Sequence, residues 1–268
     1  MNFQFQKGLK GITDQYDESG YVIIKNVLDN SLVEEARQHV DWLLSKHPGT
    51  RPEHLHHTLL ADDPFWVRLV SDPRLLDIAE QFIGSNIALF ASHYICKPPK
   101  DGQAVLWHQD GSYWPLKPMS VITLWVALDP SLPENGCMKV IPKTHTMELQ
   151  DLHERSDIPN VLASSMDESQ IDISQSVNLI LDPGDVSIHH PNIVHGSEAN
   201  NSDIWRRGLT IRYIPTTTEV TDKSWPCVML LRGEDVKGIN TYVPFPEYRE
   251  GDHMPFEGSE NWPLHKSF

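Results

Sequence analysis

His108 and Asp110, separated by one glutamine, present an imidazole and a carboxylate at the end of an extended stretch, Ala104-Val-Leu-Trp-His-Gln-Asp-Gly-Ser-Tyr-Trp-Pro115. In a strand, side chains two apart point to the same face. The pair can therefore take two adjacent positions on one metal ion. A third ligand from another strand would complete one face of an octahedron and leave three positions for substrates. The spacing alone is weak evidence, and the chain carries its own control in His39-Val-Asp41. That pair falls on a segment with helical periodicity, where residues two apart diverge by about 200°. A solvated helix face is the plain reading there.

A second block offers the third ligand. Asp182-Pro-Gly-Asp-Val-Ser-Ile-His-His-Pro-Asn-Ile-Val-His195-Gly-Ser197 runs from turn to strand to a histidine followed by a small residue, and Arg206 comes eleven positions after His195. Each part has a chemical reason. A five-carbon dicarboxylate can chelate iron through its keto oxygen and near carboxylate. Its far carboxylate then needs a buried bidentate cation, which the arginine fork supplies, and a hydroxyl such as that of Ser197 can share it. Arg207 and Arg212 also follow His195. Arg206 is the expected anchor and Arg207 its alternative, with surface pairing as the plain reading of those left over.

Read together, these blocks resemble the phytanoyl-CoA dioxygenase family of iron(II)/2-oxoglutarate oxygenases, from about Tyr16 to Tyr213. The resemblance rests on Trp107-His-Gln-Asp-Gly, Leu124-Trp-Val-Ala-Leu-Asp, Glu134-Asn-Gly-Cys-Met-Lys-Val-Ile-Pro-Lys-Thr-His145, Pro183-Gly-Asp185, and His195-Gly-Ser with Arg206. It implies a mainly β fold with flanking helices around a double-stranded β-helix core, a cupin-like jelly roll. It also implies iron(II) held by His108, Asp110 and His195, with 2-oxoglutarate as cosubstrate on Arg206 and Ser197 and O₂ as oxidant. Trp125 matches a family tryptophan beside the cosubstrate, and His93 falls on a strand position lining the same pocket. His56 stands where some relatives carry a cosubstrate-binding lysine, a departure from the pattern.

Halogenating relatives replace the ligand carboxylate by Ala or Gly, so Asp110 points to hydroxylation. The implied reaction hydroxylates an unactivated C–H bond and releases succinate and CO₂; desaturation, epoxidation or ring closure share the same site. The chain lacks a long basic patch suited to a CoA nucleotide, so a small polar metabolite is the expected substrate. One rival reading is a jelly-roll metal-binding protein without oxygenase activity, a cupin-like isomerase or binding module, which would not require Arg206. Another is a catalytically silent relative acting as an interaction module.

Blander readings accompany the remaining candidates. His189 and His190 read as structural, with one of them open to the pocket. Trp107, Tyr113 and Trp114 read as sheet packing or substrate lining. His145 closes a turn, Lys97 and Lys117 read as solvated lysines, and Asp62-Asp63 as a helix start.

Elements must position these groups. Gly20–Lys25 reads as a short strand, and Asp29–Lys46 as a helix opened by Ser31 and Glu34 in capping-box spacing, with Leu32, Ala36, Val40, Leu43 and Leu44 on one face. A second helix is expected over Pro73–Ile83, ended by Gly84. From Asn86 the texture is β, with strands expected over Ile87–Cys96, Val121–Leu128, Met138–Ile141, Ser176–Leu181, Asp185–His189 and Leu209–Tyr213. Short strands preceded by helices suggest an antiparallel sandwich or barrel buttressed by helices. The polar stretch 146–175 reads as a lid or insertion, and the part after Thr216 has no clear periodicity.

At 268 residues with 39% hydrophobic content and no repeat or long linker, the whole chain reads as one domain. A formal charge of −15 argues against nucleic-acid or anionic-membrane partners. Cys96, Cys137 and Cys227 are widely spaced and read as reduced thiols of a cytoplasmic protein. The opening MNFQFQKGLKGITDQYDESG has no apolar core of signal-peptide length. A small-molecule substrate is the expected partner; oligomeric state is not legible.

Overall fold

The structure, a computed structural model, describes residues 11–262; the first half of the opening segment discussed above and the two ends of the expected domain lie outside them. In chain order the elements are α1 Ile12–Ser19, β1 Tyr21–Ile24, α2 Asn30–Lys46, α3 Pro64–Val70, α4 Pro73–Ile83, β2 Ile87–Tyr94, β3 Val105–His108, β4 Leu116–Lys117, β5 Ile122–Ala127, β6 Met138–Val140, β7 His153–Glu154, β8 Ser164–Ser165, β9 Val177–Asn178, β10 Val186–His189, β11 His195–Ser197, β12 Gly208–Pro215, β13 Glu219–Val220 and β14 Met229–Arg232.

The helix starts follow from their caps. Asp29 opens α2 by accepting the Leu32 amide at 2.9 Å, so the cap is this aspartate and not Ser31. Asp63 does the same for α3 with the Trp66 amide at 2.8 Å, as the acidic pair suggested. Helix α4 spans the expected residues and stops at Gly84. The face of α2 carries one surprise: His39 is fully buried, bonded to Asp63 Oδ2 at 2.8 Å and Tyr94 Oη at 3.0 Å, while Asp41 is exposed. His39-Val-Asp41 is thus no solvated pair. One residue builds the core and the other faces water.

Two antiparallel sheets form the core, a six-stranded one in the order β1-β10-β5-β12-β2-β14 and a four-stranded one in the order β3-β11-β6-β9. The outward face of the larger sheet (Leu124, Val126, Val186, Ile188, Leu209, Ile211) packs on Val33, Val40, Phe65 and Ile78 of the helices. Its inward face meets the smaller sheet, with Trp125 and Ala127 against Met138, Val140 and Ile193. Strands β5, β10 and β12 alternate outward aliphatic residues with mainly polar or aromatic inward ones, as in Val-Ser-Ile-His of β10, and their ends fall within two residues of the expected ones.

Two details position the site. In β2, Phe90 is an extra residue opposite the Arg212/Tyr213 step of β12. This bulge reverses the side-chain alternation: Leu89 packs toward the helices, yet His93 points into the cavity. In the smaller sheet, β11 pairs with β3 so that His195 lies directly opposite His108.

The stretch 146–175 folds over β3, tied by Val161 N to Ala104 O and Met166 N to Trp107 O, both at 2.9 Å. It carries the small β7–β8 hairpin. The C-terminal part adds β14 to the edge of the larger sheet beside β2, and Val243, Phe245 and Tyr248 pack on the helical cluster. No helix among the described residues is long and apolar enough to cross a membrane.

Candidate metal centre and cosubstrate pocket

Between the two sheets lies a pocket that opens to solvent, with about 510 Å³ free of protein atoms when the open mouth is included. His108 ends β3, Gln109 continues extended, and Asp110 opens a short 3₁₀ turn, so the two candidate ligands keep the same side. Gln109 points the other way and is buried, its amide nitrogen on Asn192 O at 2.7 Å and its oxygen accepting the Gln150 amide at 2.8 Å. It pins the loop before β11 and the start of the covering segment.

His108 Nε2 lies 3.5 Å and His195 Nε2 4.0 Å from the same oxygen, Asp110 Oδ1. Both imidazoles have their other nitrogen held by a backbone carbonyl, His108 Nδ1 on Leu106 O at 2.8 Å and His195 Nδ1 on Ile193 O at 3.0 Å. Donation to those carbonyls places the proton on Nδ1 and leaves both Nε2 lone pairs facing Asp110. Adjacent ligands of an octahedral ion at about 2.1 Å sit about 3 Å apart, so a small contraction would seat one. His108, Asp110 and His195 also form the one cluster of metal-type donors found among the described residues.

The second oxygen of Asp110 is held from behind. Oδ2 accepts from Arg212 Nη2 at 3.4 Å and lies 3.6 Å from His189 Nε2. Burial works to raise the Asp110 carboxyl, but the Arg212 charge and the flanking imidazoles outweigh it and hold the group well below the usual carboxylate range. Burial, followed by the charge of His108, pushes His195 well below the ordinary histidine value, so it stays a neutral ligand. Gly196 is required after it: a Cβ there would lie 2.9 Å from Val105 O across the β11–β3 pair.

Arg206 enters the same cavity, 2% exposed, donating through Nε to Gly136 O at 3.1 Å and Nη1 to Ile95 O at 2.9 Å. Its guanidinium lies 5.4 Å from the Trp125 ring. Among the described residues no carboxylate forms an ion pair with it, and burial lowers it to about 10. Arg207 turns the other way and pairs with Asp129 at 2.8 Å, which removes it as an anchor. Gly208 leaves room for Trp125, because a Cβ there would sit 2.0 Å from its ring.

Ser197 lines the cavity beside Arg206. Lys97, expected to be solvated, is instead fully buried and donates to Ser197 Oγ at 2.7 Å and to the carbonyl of Glu198. With its oxygen accepting from Lys97, the Ser197 hydroxyl has its proton free for a ligand. Lys117 is exposed, as expected.

His93 lines the cavity with Nε2 on Glu53 O at 2.9 Å. His56 lies at the rim, exposed, its ring 4.1 Å from that of His93. His189 faces inward with neither ring nitrogen hydrogen-bonded, whereas His190 packs outside against Tyr16. Tyr113 sets its ring 5.9 Å from His108, Trp107 packs with Val194 and Met166, and Trp114 packs near Phe90. His145 closes its turn on Asp17 O. Strand parity would have found His189 and Arg212: Val186 and Ile188, and likewise Leu209 and Ile211, face the helices and leave the alternate positions inside.

The Phytanoyl-CoA dioxygenase (PhyH) family model matches residues 16–208. The chain is similar to the peroxisomal phytanoyl-CoA dioxygenase of Bos taurus, 25% identical over 268 residues covering 91% of this chain and 79% of that one. It is similar also to a probable alpha-ketoglutarate-dependent hypophosphite dioxygenase of Stutzerimonas stutzeri, 33% identical over 147 residues, covering 54% of this chain and 51% of the relative. Its fold matches that of the non-heme monooxygenase ThoJ with a TM-score of 0.74 at 23% identity, covering 88% of each chain.

Proposed function

The chain belongs to the phytanoyl-CoA dioxygenase family of iron(II)- and 2-oxoglutarate-dependent oxygenases, and on that premise we propose that it hydroxylates an unactivated C–H bond of a small polar metabolite. The observation that carries this reading is the pairing of three convergent donors, the two imidazoles fixed in tautomer, with a buried arginine that has no carboxylate of its own. Both halves fit the metal ion and cosubstrate that the family uses. His108, Asp110 and His195 would hold iron(II); Arg206 and the Ser197 hydroxyl would hold the far carboxylate of 2-oxoglutarate, with Trp125 beside it.

Iron(II) with 2-oxoglutarate, when bound, supplies the oxidising equivalent from O₂ that breaks the C–H bond, and succinate and CO₂ are the by-products. The protein contributes geometry. The Leu106 and Ile193 carbonyls hold both imidazoles in their ligating tautomer. Arg212 holds Asp110 by Oδ2, so that Oδ1 is left to face the candidate metal position. Lys97 orients the Ser197 hydroxyl. Leu162, from the covering segment, forms part of one wall. A carboxylate at position 110 supports hydroxylation over halogenation, and three buried, unpaired thiols support a reducing, cytoplasmic setting.

The test is 2-oxoglutarate-dependent succinate formation with iron(II) and O₂, with a mass-spectrometric screen of small metabolites for products one oxygen heavier. Absence of 2-oxoglutarate binding together with unchanged iron affinity in His108→Ala would sink the reading.

A further inference from the structure

The cavity holds a second guanidinium that the proposed metal and cosubstrate leave over. Arg212 stands on β12 six residues past Arg206, with the same inward parity, and is 9% exposed. Nη1 donates to Thr210 Oγ1 at 2.7 Å, Nη2 reaches Asp110 Oδ2 at 3.4 Å, and Nε is buried with no partner. An arginine carries five N–H donors, so most of this fork is unused. Its one ion-pair partner among the described residues is Asp110, whose other oxygen faces the metal position. Asp110 is also the one acid lining the cavity. Once a divalent ion shares that carboxylate, Arg212 is a buried cation without adequate compensation, a costly arrangement unless an anion arrives.

That anion is not the far carboxylate of the cosubstrate. Arg212 touches a metal-ligand carboxylate directly, whereas the far carboxylate of a chelated five-carbon diacid extends away from the metal. Arg206, beside Ser197 and Trp125, is the group placed for it. The surroundings of Arg212 differ in kind. The Trp114 ring lies 5.4 Å from its guanidinium, and His93 and His56 lead from it to the exposed rim. Burial, reinforced by the Arg212 charge, lowers both of these histidines, so they line the approach as neutral imidazoles able to hydrogen-bond.

Resting on the oxygenase reading, we propose that Arg212 anchors an anionic head group of the primary substrate, a compact oxyanion of carboxylate or phosphonate type. One N–H steadies Asp110 while the free edge of the fork takes the oxyanion. This holds the adjoining carbon chain beside the metal position.

Binding can be read without turnover on protein loaded with nickel(II) and 2-oxoglutarate. Calorimetric titration with propionate, ethylphosphonate and the neutral propionamide is expected to show at least one anion binding about tenfold or more tighter than the amide. The tighter of the two anions identifies the head group. Arg212→Met is expected to abolish that preference and Arg212→Lys to restore part of it. Arg206→Met is expected to lose 2-oxoglutarate instead. The proposal is overturned if the amide binds as well as both anions, or if Arg212→Met keeps the preference and lowers only nickel affinity, which would leave Arg212 as a positioning residue for Asp110. It is overturned too if Arg212→Met weakens 2-oxoglutarate as much as Arg206→Met does. Failure of wild-type protein to bind 2-oxoglutarate at all would sink the oxygenase reading itself, a separate result.

Discussion

Replacing Arg206 by Met tests whether this side chain serves the fold or a ligand. The substitution keeps a flexible apolar stem near Trp125 and removes the guanidinium. Without ligand, two terms oppose each other. The carbonyls of Gly136 and Ile95 lose their donors, costing about 1–3 kcal/mol each. Against that, the wild type buries a cation with no carboxylate partner. A guanidinium lowered from 12.5 to about 10 carries a penalty of about 3 kcal/mol on its charged form. The terms largely offset, so the ligand-free variant should unfold within about 3 kcal/mol of wild type. With metal and 2-oxoglutarate the two should separate. Loss of a bidentate charge-assisted pair weakens binding by about a hundredfold. At about 100 times the wild-type Kd, the ligand stabilises wild type by about 2.7 kcal/mol and the variant by about 0.4 kcal/mol. For a chain of this size the difference is roughly 5–10 °C in Tm. Thermal unfolding of both proteins, metal-loaded, with and without 2-oxoglutarate, reads it directly. An equal ligand-induced shift in the variant, or a large loss of stability without ligand, would refute the reasoning.

Three further outcomes follow from the same geometry. Gly208→Ala places a Cβ 2.0 Å from the Trp125 ring, so the indole must turn; 2-oxoglutarate affinity should fall about tenfold or more, with a stability cost of about 1–3 kcal/mol, checked by titration and denaturant unfolding. His39→Ala breaks the buried bonds to Asp63 and Tyr94 and should cost about 2–4 kcal/mol of stability while leaving metal affinity unchanged, which separates this decoy pair from His108 and Asp110. Acid should destabilise the metal-free protein. His57 and His190, pushed down to about 4 by burial, resist a proton that the unfolded chain accepts near 6.5. Their contribution is therefore present above pH 6.5 and lost as pH falls from there towards about 4. Urea midpoints across that range check the sign, and a midpoint that rises on acidification would contradict it.

Much of the site was legible because it is local. An extended backbone sets His108 and Asp110 on one side whatever surrounds them. Helices α2 and α4 announced themselves through periodicity and the stop at Gly84. What failed was burial. His39 lies on the apolar stripe of α2, three after Ala36 and four before Leu43, but its polar type suggests a solvated face, and Lys97 follows β2 in a stretch with no pattern to show that other segments close over it. The bulge at Phe90, which turns His93 inward, exists only as a mismatch between β2 and β12.

The amino-acid sequence by itself thus supplied the candidate donors, their order and the chemistry open to them, since those depend on residue type and on local spacing. Tertiary structure decided which two of three arginines enter the cavity, and that Asp110 turns one oxygen towards His108 and His195 and the other towards Arg212. It also decided that two buried guanidinium groups share the cavity. These are facts of cross-strand register and desolvation, set by contacts between residues far apart in the chain.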